Sequence, residues 1–171
     1  GFSEMRMREG MSERDLESVT GIQRSFVVSD QMEATVLAER LEILSGNARS
    51  ATALGGGVAF GDRLWQGDAR VEWRRLDADP AAKINNTADS LMSTVSFARK
   101  MGGNWTGLVR NYALVTDDRG RAGAQMQNRF QIGAAYRPIE TNDFDLLFRY
   151  ENKIERNSEL VANERRRVDI V

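Results

Sequence analysis

The stretch QMQNRFQIGAAYR, Gln125 to Arg137, changes character at every step. Met126, Phe130, Ile132, Ala134 and Tyr136 fall on one parity; Gln125, Gln127, Arg129, Gln131 and Arg137 fall on the other. A period of two predicts a β-strand with two unlike faces, because successive side chains leave a strand on opposite sides. The pattern recurs twice. In QGDARVEWRR, Gly67, Ala69, Val71 and Trp73 oppose Gln66, Asp68, Arg70, Glu72 and Arg74. In FDLLFRYENK, Phe144, Leu146, Phe148 and Tyr150 oppose Asp145, Leu147, Arg149, Glu151 and Lys153. Each segment runs for about ten residues or more, long for a globular strand and enough to cross a bilayer at a tilt.

Weaker strands are expected near Phe2–Arg8, Glu17–Val28, Met32–Leu44, Arg49–Phe60, Asp89–Met101 and Trp105–Thr116, with a last one from Arg166 to Val171. Ala51, Ala53, Gly55, Gly57 and Ala59 give one of these a very small face, suited to a close neighbour or a bend in a barrel wall. Met32–Leu44 is ambiguous. Met32, Val36, Leu37, Arg40, Leu41 and Leu44 also lie at helical spacing, and Glu33 and Glu39 share strand parity with Leu37 and Leu41. Its position between two strand-like segments, beside a short turn, favours strand.

Short connections are expected at Ser29–Gln31, Gly61–Arg63, Gly102–Asn104 and Pro138–Asp143. Longer polar ones are expected at Glu9–Asp15, Asp77–Ala88, Asp117–Gly123 and Glu155–Arg165, with Ser45–Ala48 the short exception among them. Short turns alternating with longer loops are the habit of outer-membrane barrels. The expected fold is therefore an all-β, antiparallel up-and-down barrel of the transmembrane type, or a fragment of one, with about ten strands. A soluble antiparallel β-sandwich or barrel acting as a binding module is the alternative; there the apolar parity meets a second sheet inside a dry core.

Composition narrows the chemistry. The 171 residues carry no cysteine and no histidine, which removes disulfides, thiol nucleophiles, the usual serine triad and the commonest metal ligand. The net charge of −1 gives no basic field for nucleic acid. No run approaches eighteen uninterrupted apolar residues, so a membrane-spanning helix is excluded, whereas a spanning strand needs apolar residues only at alternate positions. No enzyme, cofactor or metal site is expected. The chain begins with Gly and is read as an internal slice of a longer protein, forming a single β-barrel domain over residues 1–171.

The phrases ARVEWRRLD, STVSFARKMGGNWTGLVRNYALVTDD, QNRFQIGAAYRPIETNDFDLLFRYENKIERN and ERRRVDIV resemble the C-terminal outer-membrane β-barrel region of large, multidomain surface proteins of Gram-negative bacteria. The resemblance covers most of the chain and is clearest from about Gly61 onward. It rests on strand-and-turn phrases and brings no catalytic residues with it. It implies a transmembrane barrel in the bacterial outer membrane, with lipid, lipopolysaccharide and the rest of the parent chain as partners, and no nucleic acid. The oligomeric state is left open.

On this reading Arg70, Glu72, Arg74, Arg110, Arg129, Arg149 and Glu151 are the candidate lumen-lining residues, accompanied by Asp68, Asp145 and Lys153. They would form either a charged wall that orders water and biases passage, or a ladder of cross-strand ion pairs. Val71, Trp73, Met126, Phe130, Ile132, Tyr136, Phe144, Leu146, Phe148 and Tyr150 are the candidate lipid-facing residues. Trp65, Trp105, Phe60 and Tyr136 flank short turns and are expected near one rim as an aromatic girdle. Two paired carboxylates, Asp68 with Glu72 and Asp145 with Glu151, are the nearest approach to glycosidase chemistry.

Overall fold

The computed structural model describes residues 1–9, 14–45, 49–77, 87–102, 104–119, 124–138, 145–157 and 160–171. Ten strands lie in one antiparallel up-and-down sheet in strict chain order: β1 (Phe2–Glu9), β2 (Arg14–Ser29), β3 (Met32–Ser45), β4 (Ala51–Gly61), β5 (Trp65–Leu76), β6 (Ala88–Gly102), β7 (Trp105–Asp118), β8 (Gln125–Tyr136), β9 (Leu146–Asn157) and β10 (Leu160–Ile170). Among the described residues no pairing joins β1 to β10, so the sheet is open. The ambiguous Met32–Leu44 segment is strand. Its register explains the mixed parity: Leu37 faces Gly55 and Leu41 faces Ala51, so these leucines lie over the small face of β4.

The expected boundaries differ at the end of the chain. The segment Glu155–Arg165, expected as a long connection, is mostly strand: β9 continues to Asn157 and β10 begins at Leu160, ahead of Arg166. Only two residues separate these strands, where the alternation asks for a long loop. On the opposite rim the β8–β9 connection, expected to be short, spans residues 137–145. The sorting of connections is therefore partial. It is clearest from β4 to β8, where the short links of residues 62–64 and 103–104 alternate with the longer ones of 77–87 and 119–124.

The short links have local causes. The Asp62 carboxylate accepts the backbone N–H of Leu64 and of Trp65, each at 2.7 Å, which folds the chain back between β4 and β5. Between β6 and β7, Gly102 and Asn104 take positive φ values of 80° and 66°, the left-handed region that glycine and asparagine tolerate best.

Candidate functional site

Direct cross-strand partners share a face, so the pairing table fixes which side chains lie together. Val71, Trp73, Met126, Phe130, Ile132, Tyr136, Leu146, Phe148 and Tyr150 all fall on one face. Phe144 lies outside the described residues. Arg70, Glu72, Arg74, Arg110, Arg129, Arg149 and Glu151, with Asp68 and Lys153, all fall on the other face. Asp145 precedes β9 with the same parity and is exposed.

The apolar face has no covering layer among the described residues. On the apolar face Val71 is 51% exposed, Ile132 44% and Phe148 41%. On the polar face the acids are enclosed by their partners, Glu72 to 10% and Glu151 to 14% side-chain exposure, while Arg70, Arg74 and Arg129 stay about half exposed. The polar face is also concave. Residues from β5 to β9, among them Asp68, Thr94, Arg110, Arg129 and Lys153, line one concavity of about 840 Å³.

The charged residues of the concave face form local clusters. Glu72 accepts Arg70 Nη2 at 2.8 Å and Arg74 Nη2 at 3.2 Å, both from its own strand. Glu151 accepts Arg129 at 2.8 Å across the strands and Gln131 at 2.5 Å. Asp169 accepts Arg149 at 2.5 Å from β9 and Arg167 at 2.6 Å from β10. Lys153 pairs with Glu155 at 2.6 Å along β9. Two of these six ion pairs form the expected cross-strand ladder; the other four link residues two apart along one strand, which parity places side by side. Asp169, Glu155 and the neutral partners Gln131 and Ser96 were not among the candidates. The alternation along β9 and β10 places each acid on the correct face, but which cation it meets depends on register.

The small face of β4 lies on this concave side. Gly57 faces Arg70, Gly55 faces Glu72 and Ala53 faces Arg74. A Cβ at Gly57 would come within 3.0 Å of the Ala69 carbonyl and 3.6 Å of the Arg70 Cβ. The small residues therefore leave room for the long Arg–Glu–Arg cluster alongside, a close approach of the kind the sequence implies.

The apolar band has a measurable course. From β3 to β6 it ends against Arg40, Thr52, Arg75 and Asp89, which are successive partners in one row. On β9 and β10 it ends against Asn152 and Arg166, whose row continues through Phe130, Asn111 and Val95 to Ala69. Ala69 lies six residues before Arg75 on β5. At the short-turn rim, Phe60 pairs with Gly67, and that row reaches β7 at Val109, four residues beyond the Trp105–Tyr136 pair. The first border is thus level from β3 to β6 and displaced by six residues at β9, and the rim border is displaced by four residues between β4 and β7. Averaged over the strands crossed, each moves by about one residue per strand, with Asn111, Met126 and Ile154 as local departures. A shift of one residue (about 3.3 Å) per strand spacing (about 4.8 Å) corresponds to a band crossing strands tilted by roughly 35°. The rim aromatics touch: Trp65 and Phe97 are 5.1 Å apart, Trp105 and Tyr136 5.0 Å, and Arg99 stacks on Trp65 at 4.3 Å.

Neither carboxylate pair has glycosidase geometry. Asp68 and Glu72 are four residues apart on one strand, about 13 Å, beyond the roughly 5–9.5 Å such chemistry uses, and Asp145 and Glu151 are farther apart still. Glu72 is held by two arginines, and Asp68 accepts a hydrogen bond from Ser96. No cluster of carboxylates among the described residues has the arrangement to hold a metal ion. No protein-family model matches the chain, and no curated protein or solved structure matches it significantly.

Proposed function

We propose that the chain forms wall strands of a bacterial outer-membrane β-barrel, anchoring its parent protein and lining a polar lumen that small solutes cross passively. The carrying observation is an uncovered apolar band on one face, with clustered carboxylates and guanidinia on the concave face. Two features of the band support lipid as its solvent. The nine residues from Trp65 to Trp73 span about 27 Å along the strand, or about 22 Å of height at roughly 35° tilt, close to the apolar belt of known barrels. Both borders of the band are also displaced in the same direction across the sheet, on average by the amount a flat slab requires of a tilted wall. A sandwich would need a second sheet over these residues, whereas all ten strands belong to one sheet. The polar lumen wall carries both signs of charge in mutual contact, which favours general passage over strong selection.

The test is fractionation of cells expressing the full-length protein. The protein is expected in the outer-membrane fraction, released by detergent and resistant to high-salt washing. Recovery in the soluble fraction without detergent ends this reading.

A further inference from the structure

The concavity between β5 and β9 holds four cations, Arg110, Arg129, Arg149 and Lys153, against two carboxylates, Asp68 and Glu151. Three of the cations are neutralised: Arg129 by Glu151, Arg149 by Asp169 and Lys153 by Glu155. Among the described residues Arg110 has no acidic partner. Its cross-strand neighbours are the neutral Ser96 and Gln131, which donate to Asp68 and Glu151 and accept no hydrogen bond from Arg110 among the described residues. Those acids stand two strands away on either side, about 10 Å by strand spacing, and neither pairs with Arg110 among the described residues. Its diagonal neighbours on β8 are Gly133, which has no side chain, and Arg129, which is engaged by Glu151. On the other side lie the hydroxyls of Tyr112, two residues along β7, and of its partner Thr94; no hydrogen bond engages either among the described residues.

We propose that Arg110 is the anchor of a binding site for a small oxyanion, a carboxylate or phosphate group. The guanidinium offers a planar fork of donors matched to two oxygens, and Tyr112 and Thr94 supply neutral donors beside it. Access from a lumen rests on the barrel reading; the donor set itself does not.

The experiment titrates inorganic phosphate and, separately, acetate into the full-length protein in detergent micelles at low salt, followed by calorimetry. Wild type is expected to bind at least one of them; phosphate alone identifies a phosphate site, and both together a general oxyanion site. Arg110→Gln is expected to weaken binding by about tenfold or more, as loss of a charge-assisted bidentate contact implies. Arg74→Gln, which leaves Glu72 paired with Arg70, is expected to bind as wild type. Far-UV circular dichroism establishes folding, and if Arg110→Gln does not fold, Arg110→Lys carries the comparison, with an expected loss of several-fold. Equal affinities in wild type and the Arg110 variant, or no binding by the folded wild type, overturn the proposal. Conductance across planar bilayers is recorded on the same preparations. Arg110-dependent binding without conductance keeps the site and removes the pore; conductance without such binding does the reverse.

Discussion

Glu72 shows how a single residue can hold its place on a face of this kind. It is among the most enclosed charged side chains described, yet both of its oxygens are engaged, one by Arg70 and one by Arg74. Each arginine is itself about half exposed, so water screens the pairs and each is worth only about 0–1 kcal/mol. Removing the shared acid takes away the one carboxylate that bonds both guanidinia among the described residues. Glu72→Ala is expected to destabilise the fold by about 1–2 kcal/mol in denaturant titration, and Glu72→Gln by less. An unchanged midpoint for Glu72→Ala would show that the cluster is not stabilising. The alternation of the sequence identified all three members of this cluster, because residues at i, i+2 and i+4 need only one strand to meet.

At the scale of elements, what was legible depended on whether partners were local. The β8 strand could be read from Gln125–Arg137 alone, since its two faces differ throughout. The β3 strand could not, because Leu37 and Leu41 sit among glutamates on the polar parity. Their apolar neighbours, Gly55 and Ala51, belong to the next strand, and no window of β3 contains them. For the same reason the early start of β10 was missed, as its partners are Asn157 and Glu155 on β9. Cross-strand fit also governs Gly67, directly opposite Phe60. The Phe60 ring lies over the glycine, and a Cβ there would come within 2.6 Å of it. Aromatic cover of a strand glycine is a known way to pin register. Gly67→Val is expected to displace Phe60 and cost about 1–3 kcal/mol of stability. The companion change Phe60→Ala should recover part of that loss, and strict additivity of the two would disprove the packing.

At the scale of the whole molecule, the decisive quantity is the solvent of the apolar face. The sequence carried the existence of two faces, the strand number and nearly every face assignment. It did not carry the slope of the band, which appears only when the nine strand registers are laid side by side. A direct test is Val71→Arg, in the middle of that band. If lipid covers Val71, folding into bilayers should lose about 2–4 kcal/mol. If water covers it, an exposed strand position should respond by about 0.5 kcal/mol or less. Measuring folding free energy in phospholipid vesicles separates the two, and a near-zero effect there counts against the membrane wall.

The open sheet has a consequence for assembly. The outer edges of β1 and β10 present rows of backbone donors and acceptors that no described strand pairs, and such groups are costly in hydrocarbon. The two edges run antiparallel to each other, so β1 of one molecule can add to β10 of the next, and the product again ends in the same two edges. That is the geometry of an unterminated polymer. Closure within one molecule or capping by further strands is a first-order event, whereas growth between molecules scales with concentration. The folding of this wall is therefore a race between ring and chain, and dilution favours the ring.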